Sequence, residues 1–269
     1  MKTIYKALLT ILIIIAVDIL GFIIYIKINP SVAVICYHNV ATAEEKENYP
    51  DEADWIITVD NFEEQLKYLQ KHNYKTLTTD EFYKWKNGEI KLPYKSVLIT
   101  FDDGFLSNAH YAFPLLKKYN MNATVFVAGE FVENSVETEW TGNVKTYMSL
   151  EMLEQVKQEF PNIEICSHSY KLHNEGAIKQ DIEILKQDAT NFREKITDTD
   201  VYCYPFGQYN ENMINALKTT NYKMAFIYGP TNKEYRKTTL KDNIYQIPRL
   251  NASHGMKVWK FALRLLMPF

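Results

Sequence analysis

The chain has little of what marks several common protein classes. It carries 3 cysteines in 269 residues, too few for the disulfide framework that staples small exported domains. Cys36, Cys166 and Cys203 each lie in or beside an apolar run, which points to buried free thiols. Positive charge is not in excess: 30 Lys and Arg stand against 33 Asp and Glu, a formal net charge of −3. With no basic stripe, nucleic acid is not an expected partner. No repeat, low-complexity tract or long linker follows residue 31, so residues 31–269 read as one globular domain. An apolar content of 46% excludes a disordered chain.

Long apolar runs are also scarce, with one exception. Ala7 to about Ile26 follows Lys2 and Lys6, and about 20 such residues suffice to cross a bilayer core. Asp18 interrupts the run at a cost of about 2.5–3.5 kcal/mol at a helix centre, which the surrounding Leu and Ile residues can offset. No Ala-x-Ala pattern precedes Pro30 and no lipoprotein-type cysteine box closes the run. Residues 1–30 therefore read as an uncleaved signal anchor rather than a signal peptide. The two lysines favour a cytoplasmic amino end, giving a single-pass protein of the cell membrane with its domain outside. Cleavage between Asp18 and Val32 would instead make the domain a secreted one.

Beyond residue 31, short apolar runs rich in β-branched residues alternate with helical patterns. Strands are expected at 32–36, 74–77, 97–99, 123–127, 162–166, 201–204, 224–227 and 247–250. Between them lie helices with apolar residues at spacings of three and four, such as Phe62, Leu66 and Leu69, capped by Thr58 or Asp60, or Leu150, Leu153 and Val156, capped by Ser149. Thr79 or Asp80 is expected to open a helix that Asn87-Gly88 ends. The polar stretch 41–54 is expected as a loop. Strands alternating with helices imply an α/β fold with a parallel sheet curled into a barrel, preceded by one transmembrane helix. Val258, Phe261, Leu265 and Leu266 mark the tail as a terminal core helix, with an interfacial membrane helix as the alternative.

Chemistry-bearing residues collect at the carboxyl ends of the expected strands, where sites form in such folds. They are His38, Asp102-Asp103, His168 with His173, and the turn Pro205-Phe206-Gly207. Adjacent carboxylates at the mouth of a buried strand repel each other unless a cation or a shared proton compensates. Two imidazoles and a carboxylate form a common ligand set for a catalytic divalent ion. The 19 Tyr, 14 Phe and 4 Trp suit a packed core first and a sugar-stacking cleft second. His72 and His110 fall on expected helices and read as surface or packing residues.

Thr100-Phe101-Asp102-Asp103-Gly104, then Ser167-His168-Ser169 with His173, then Tyr204-Pro205-Phe206-Gly207, resemble in that order the polysaccharide deacetylase family (NodB homology, carbohydrate esterase family 4). The resemblance spans roughly residues 32–255. It implies a distorted (β/α) barrel that removes N-acetyl groups from amino sugars. It also implies one divalent metal ion, Zn2+ by preference, with Co2+, Ni2+ or Mn2+ as alternatives. Carried over, Asp102 is the general base, and Asp103, His168 and His173 are the metal ligands. Tyr204, Pro205, Phe206 and Gly207 are the oxyanion- and substrate-binding turn, with a backbone N–H near Phe206 as donor.

Two departures from the family pattern narrow the expectation. Four residues separate His168 from His173, where most members have three. Cys203 stands where the usual base-orienting arginine would be, and Arg249 is the candidate substitute. The wider spacing, the early Tyr37-His38 and the Tyr-Pro-Phe-Gly form resemble the branch that partly de-N-acetylates poly-β-1,6-N-acetylglucosamine, the biofilm exopolysaccharide. In that branch the acid histidine lies on the early strand, which implies His38; His254, late in the chain, is the alternative acid. The implied partners are an N-acetylglucosamine polymer, the membrane and the polymer's synthesis and export machinery. The alternatives are a peptidoglycan or chitin-type deacetylase and a catalytically inactive glycan-binding module.

Overall fold

The computed structural model describes residues 2–174, 176–228, 236–252 and 255–266. Strands are β1 (Ser31–Tyr37), β2 (Asn39–Ala41), β3 (Ile56–Thr58), β4 (Lys75–Thr76), β5 (Ser96–Phe101), β6 (Ala123–Val127), β7 (Ile163–Ser167), β8 (Val201–Cys203), β9 (Met224–Phe226), β10 (Thr238–Thr239) and β11 (Leu250–Asn251). Helices are α1 (Lys2–Ile28), α2 (Ala43–Asn48), α3 (Val59–Lys71), α4 (Thr79–Lys86), α5 (Phe113–Lys118), α6 (Gly129–Asn134), α7 (Leu150–Glu159), α8 (Ile182–Lys195), α9 (Glu211–Thr219) and α10 (Val258–Leu266).

The main sheet runs β10-β1-β5-β6-β7-β8-β9 and is parallel apart from β10. Its edges are drawn together by residues 247–251. Ile247 bridges Phe226 on β9, while Leu250 and Asn251 pair with Ile35 and Cys36 on β1. The sheet thus curls into a distorted barrel, as the alternating pattern predicts.

Because successive side chains of a strand point to opposite faces, each strand fills two cores. Ala33, Ile35 and Tyr37 of β1 and Val97, Ile99 and Phe101 of β5 face outward, into a cluster with Phe62 and Leu66 of α3 and Phe113 of α5. Val32, Val34, Leu98, Phe126, Cys166, Cys203 and Phe226 face inward, against Phe82 and Trp85 of α4. The inward set continues past the strand ends with His38, Asp102 and His168. Burial of both faces explains why these strands read as continuous apolar runs.

Helix starts follow local capping chemistry. Thr58 caps α3 and Ser149 caps α7, their side chains accepting from Asn61 N and Met152 N. Thr78 rather than Thr79 or Asp80 caps α4, because its hydroxyl and Glu81 form a reciprocal capping box. Stretch 41–54 is not the expected loop. Thr42 and Glu45 form a second capping box that starts α2, and a 3₁₀ turn covers Pro50–Trp55. Glu45 then accepts from Tyr111 Oη and Trp140 Nε1, each at 2.9 Å, tying this stretch to residues distant in sequence. His72 ends α3, with Nδ1 2.8 Å from the Tyr68 carbonyl oxygen, and His110 is exposed.

α1 is long and apolar enough to cross a membrane, and none of its Ile4–Gly21 window is buried. At the other end, α10 packs Phe261 and Leu265 inward, with Phe261 edge-on to Tyr68 of α3, which is the terminal core helix of the sequence reading. Leu266 points outward. Gln65 of α3 secures this end of the fold. Its Oε1 accepts from Tyr37 Oη at 2.5 Å and its Nε2 donates to the Met256 carbonyl at 2.7 Å. Gln65→Leu would leave two buried groups unpartnered, so a loss of about 2–4 kcal/mol in unfolding free energy is expected, measured by denaturant titration.

Candidate active site

Asp102 is the inward position that follows Leu98 and Thr100, so the pleat of β5 aims it into the barrel mouth. Its N–H donates to the Tyr37 carbonyl at 3.0 Å, which extends the β1–β5 ladder by one residue. Arg249, in the segment that draws the barrel together and pairs with β1 on the side away from β5, reaches it across the barrel mouth. Nη1 and Nη2 donate to Oδ1 and Oδ2 at 2.7 Å each, the paired geometry that suits guanidinium to carboxylate. Arg249 Nε also donates to the Ile227 carbonyl at 3.2 Å. Burial would raise the Asp102 pKa, but the Arg249 guanidinium outweighs it and holds the carboxyl below its ordinary value.

Cys36 and Cys203 flank the same carboxylate, with Sγ atoms 3.6 Å from Oδ2 and 3.9 Å from Oδ1. Burial pushes both thiols well up, so they stay protonated. All three cysteines are buried and free. At Cys203 the structure places a small buried thiol, and the guanidinium arrives from Arg249.

Asp103 leaves the strand in the left-handed region, with φ 69°, a conformation that Asp tolerates better than most residues. The turn swings its carboxylate away from Asp102 and toward two imidazoles. Asp103 Oδ1 lies 3.4 Å from His168 Nε2 and 3.1 Å from His173 Nε2. Burial opposes ionisation of Asp103, yet these two hydrogen-bonding imidazoles hold it far below the carboxylate range. His168 Nδ1 is 2.8 Å from the Cys203 carbonyl oxygen and His173 Nδ1 is 3.3 Å from Asn174 Oδ1. Both Nδ1 atoms lie beside oxygen acceptors, so each imidazole can carry its proton on Nδ1 and turn its Nε2 lone pair to an ion seated beside the carboxylate, an arrangement found around ligated metals. The three ligand atoms lie within 4.8 Å of one another. This donor set fits a divalent ion that prefers imidazole and carboxylate.

His38 is the next inward position after Cys36. Its Nε2 is 3.8 Å from Asp102 Oδ2, and its ring packs on Trp55 at 4.7 Å and Tyr228 at 5.4 Å. Burial lowers the His38 pKa despite the nearby Asp102 and Asp103, so the resting imidazole is neutral at pH 7. His254 lies outside the described residues.

The turn after β8 divides its work. Tyr204 turns outward into the core with Tyr202 and Leu217, and its ring does not line the cleft. Its N–H donates to the Phe226 carbonyl, and Gly207 N–H donates to the Tyr204 carbonyl. Pro205 has no N–H, so Phe206 supplies the remaining donor of the four. Phe206 takes φ 56° and is 59% exposed, with its ring 5.1 Å from that of His173. Gly207 cannot carry a side chain, because a Cβ would fall 1.1 Å from the Tyr228 carbonyl oxygen.

His38, Asp102, Asp103, His168, His173 and Phe206 line one cleft of about 360 Å³, together with Glu52, Trp55, Phe105, Tyr147 and Tyr228. None of those five was singled out in the sequence reading. Tyr228 could have been found, since it continues the inward series of Met224 and Phe226. Trp55 and Tyr147 reach the cleft only through tertiary contacts: Glu52 pairs with Lys145 at 2.9 Å, and Tyr147 stacks on Phe105 at 4.9 Å.

Comparison with known proteins agrees with this geometry. Residues 89–225 match the family model described as polysaccharide deacetylase. A Bacillus subtilis (strain 168) protein, assigned by name to the polysaccharide deacetylases, is 30% identical over 198 residues, covering 72% of this chain and 65% of its own length. The chain thus spans just under two thirds of that relative. The poly-β-1,6-N-acetyl-D-glucosamine N-deacetylase of Staphylococcus aureus (strain MSSA476) is 28% identical over 248 residues, covering 83% of this chain and 81% of the relative. Among solved structures, the Streptococcus pyogenes deacetylase PplD superposes with a TM-score of 0.72 at 19% identity, covering 88% of this chain and 99% of PplD.

The Asp102–Arg249 pair generates a stability test. Arg249→Ala leaves a buried carboxylate without its partner, and a loss of about 3–5 kcal/mol is expected, measured by denaturant titration. The double variant Asp102→Asn, Arg249→Met removes both charges and is expected to lose less than the single variant.

Proposed function

The chain belongs to the polysaccharide deacetylase family, and on that premise we propose that its cleft removes N-acetyl groups from an exported N-acetylglucosamine polymer. Poly-β-1,6-N-acetylglucosamine is the substrate, partly de-N-acetylated for a biofilm matrix, a reading supported by the likeness to the Staphylococcus aureus enzyme. α1 anchors the domain at the outer face of the membrane, near the machinery that makes and exports the polymer. The observation that carries the proposal is the sharing of one cleft by an arginine-paired carboxylate, Asp102, and the converging Asp103, His168 and His173. A glycan-binding module would need neither.

A divalent ion, Zn2+ by preference, held by Asp103, His168 and His173 would acidify a water and polarise the acetyl carbonyl. Asp102, kept ionised by Arg249, takes the proton of the attacking water. Phe206 N–H donates to the carbonyl oxygen as negative charge develops there. His38 gives a proton to the leaving nitrogen. Since burial keeps its imidazole neutral at rest, His38 must first collect that proton, and its Nε2 stands 3.8 Å from Asp102 Oδ2, where the water's proton arrives. His254 is the alternative donor. Trp55, beside His38, and Phe206, beside His173, are exposed and offer apolar faces to sugar rings.

The test is acetate release by the full chain in detergent from β-1,6- and β-1,4-linked N-acetylglucosamine oligomers. Release from the β-1,6 oligomer is expected, lost with a chelator and restored by Zn2+. Asp102→Asn should lower kcat by about 10²–10⁴-fold. Release from the β-1,4 oligomer alone would make the enzyme a peptidoglycan or chitin-type deacetylase. Binding of both without release would leave a glycan-binding module.

A further inference from the structure

The loop between His168 and His173 holds a buried carboxylate that the chemistry above does not use. Asp188, on α8, accepts from Tyr170 N–H through Oδ2 at 2.9 Å and from Lys171 N–H through Oδ1 at 2.7 Å. It is 7% exposed and has no salt bridge among the described residues. Burial pushes its pKa up to about 6, and the loop N–H groups are what oppose that rise. Removing a carboxylate from water without a cation is costly, so a carboxylate at this position calls for a structural reason.

The reason lies in the shape of the loop. β7 ends at Ser167, and the chain must turn back within four residues so that His173 meets His168 at one point. Ser169 takes φ 72° to begin the turn. The carbonyl side of the loop is held by α6, with Gly129 N–H donating to the Ser169 carbonyl at 3.0 Å and Glu130 N–H to the Tyr170 carbonyl at 2.6 Å. On the N–H side, Asp188 accepts from two consecutive amides, as a ladder partner would. Leu185, Ala189 and Phe192 anchor α8 in the cores beneath. The loop is thus fixed on both edges, and His173 follows two residues after Lys171.

We propose that Asp188 is a positioning residue for the ion, which sets the distance and direction of His173 toward Asp103 by pinning the Tyr170 and Lys171 amides. This rests on the reading of Asp103, His168 and His173 as ligands. Asn in place of Asp188 has one acceptor oxygen, and its amide would face one of the two N–H groups donor to donor.

The test is titration of the metal-free full chain in detergent with Co2+, followed by calorimetry and by the visible absorption of the bound ion. Asp188→Asn and Asp188→Ser are compared with the parent and with His173→Ala; the smaller serine leaves room for water if the Asn variant does not fold. A fall of about 10–100-fold in Co2+ affinity is expected for both Asp188 variants, with a changed absorption band at saturation and an unchanged KM for the oligomer. Parent-like affinity and spectrum in a folded Asp188 variant, with His173→Ala impaired, would overturn the positioning role alone. Parent-like binding by His173→Ala would remove the ligand assignment itself and the proposal with it.

Discussion

The ion pair between Asp102 and Arg249 is the interaction on which the site depends. It joins the first part of the sheet to its last segment, and both charges are removed from water. A buried pair gains little over an apolar core in stability, so its value here is one of geometry. Paired N–H donors fix the plane of the carboxylate and leave it ionised. Drawing the barrel edges together and orienting the base are the same event, since Ile247 and Leu250, on either side of Arg249, make the bridging contacts. The thiols of Cys36 and Cys203 complete the enclosure without adding charge.

Part of the backbone strain lies at the strand ends that form the site. Asp103, Ser169 and Phe206 all take positive φ, and all three sit where a strand end must redirect a functional group. Such conformations cost about 1–3 kcal/mol each and persist only where surrounding contacts determine them. Those contacts are visible. Gly207 lies tight against the Tyr228 carbonyl, and Gly129 lies tight against Tyr170, so neighbouring loops leave the strained residues no room to relax. A rigid cleft with fixed donors needs little reorganisation when charge moves within it.

The aromatic residues are organised from further away. Glu45 caps its own helix and binds Tyr111 and Trp140, while Phe131 lies between Tyr147 and His173. The cleft walls are therefore set by packing between segments a hundred residues apart, on a scaffold whose strands are set by local pattern. This division explains why the walls were harder to read than the polar groups.

Local chemistry in the sequence was enough for the parallel barrel, most helix starts and the strand ends that carry His38, Asp102, Asp103, His168 and His173. Alternating apolar runs, capping side chains and period-two strands act over a few residues, and their signals are written in adjacent positions. The stretch 41–54 was misread because its capping box is short and its stabilising partners, Tyr111 and Trp140, are remote. The resemblance offered Arg249 as the partner of the base, but tertiary structure alone decided its paired approach to Asp102, that Tyr204 turns away from the cleft while Phe206 faces it, and that Asp188 holds the histidine loop. Each of these depends on a closure or a packing contact between distant segments, and no local spacing encodes such a distance.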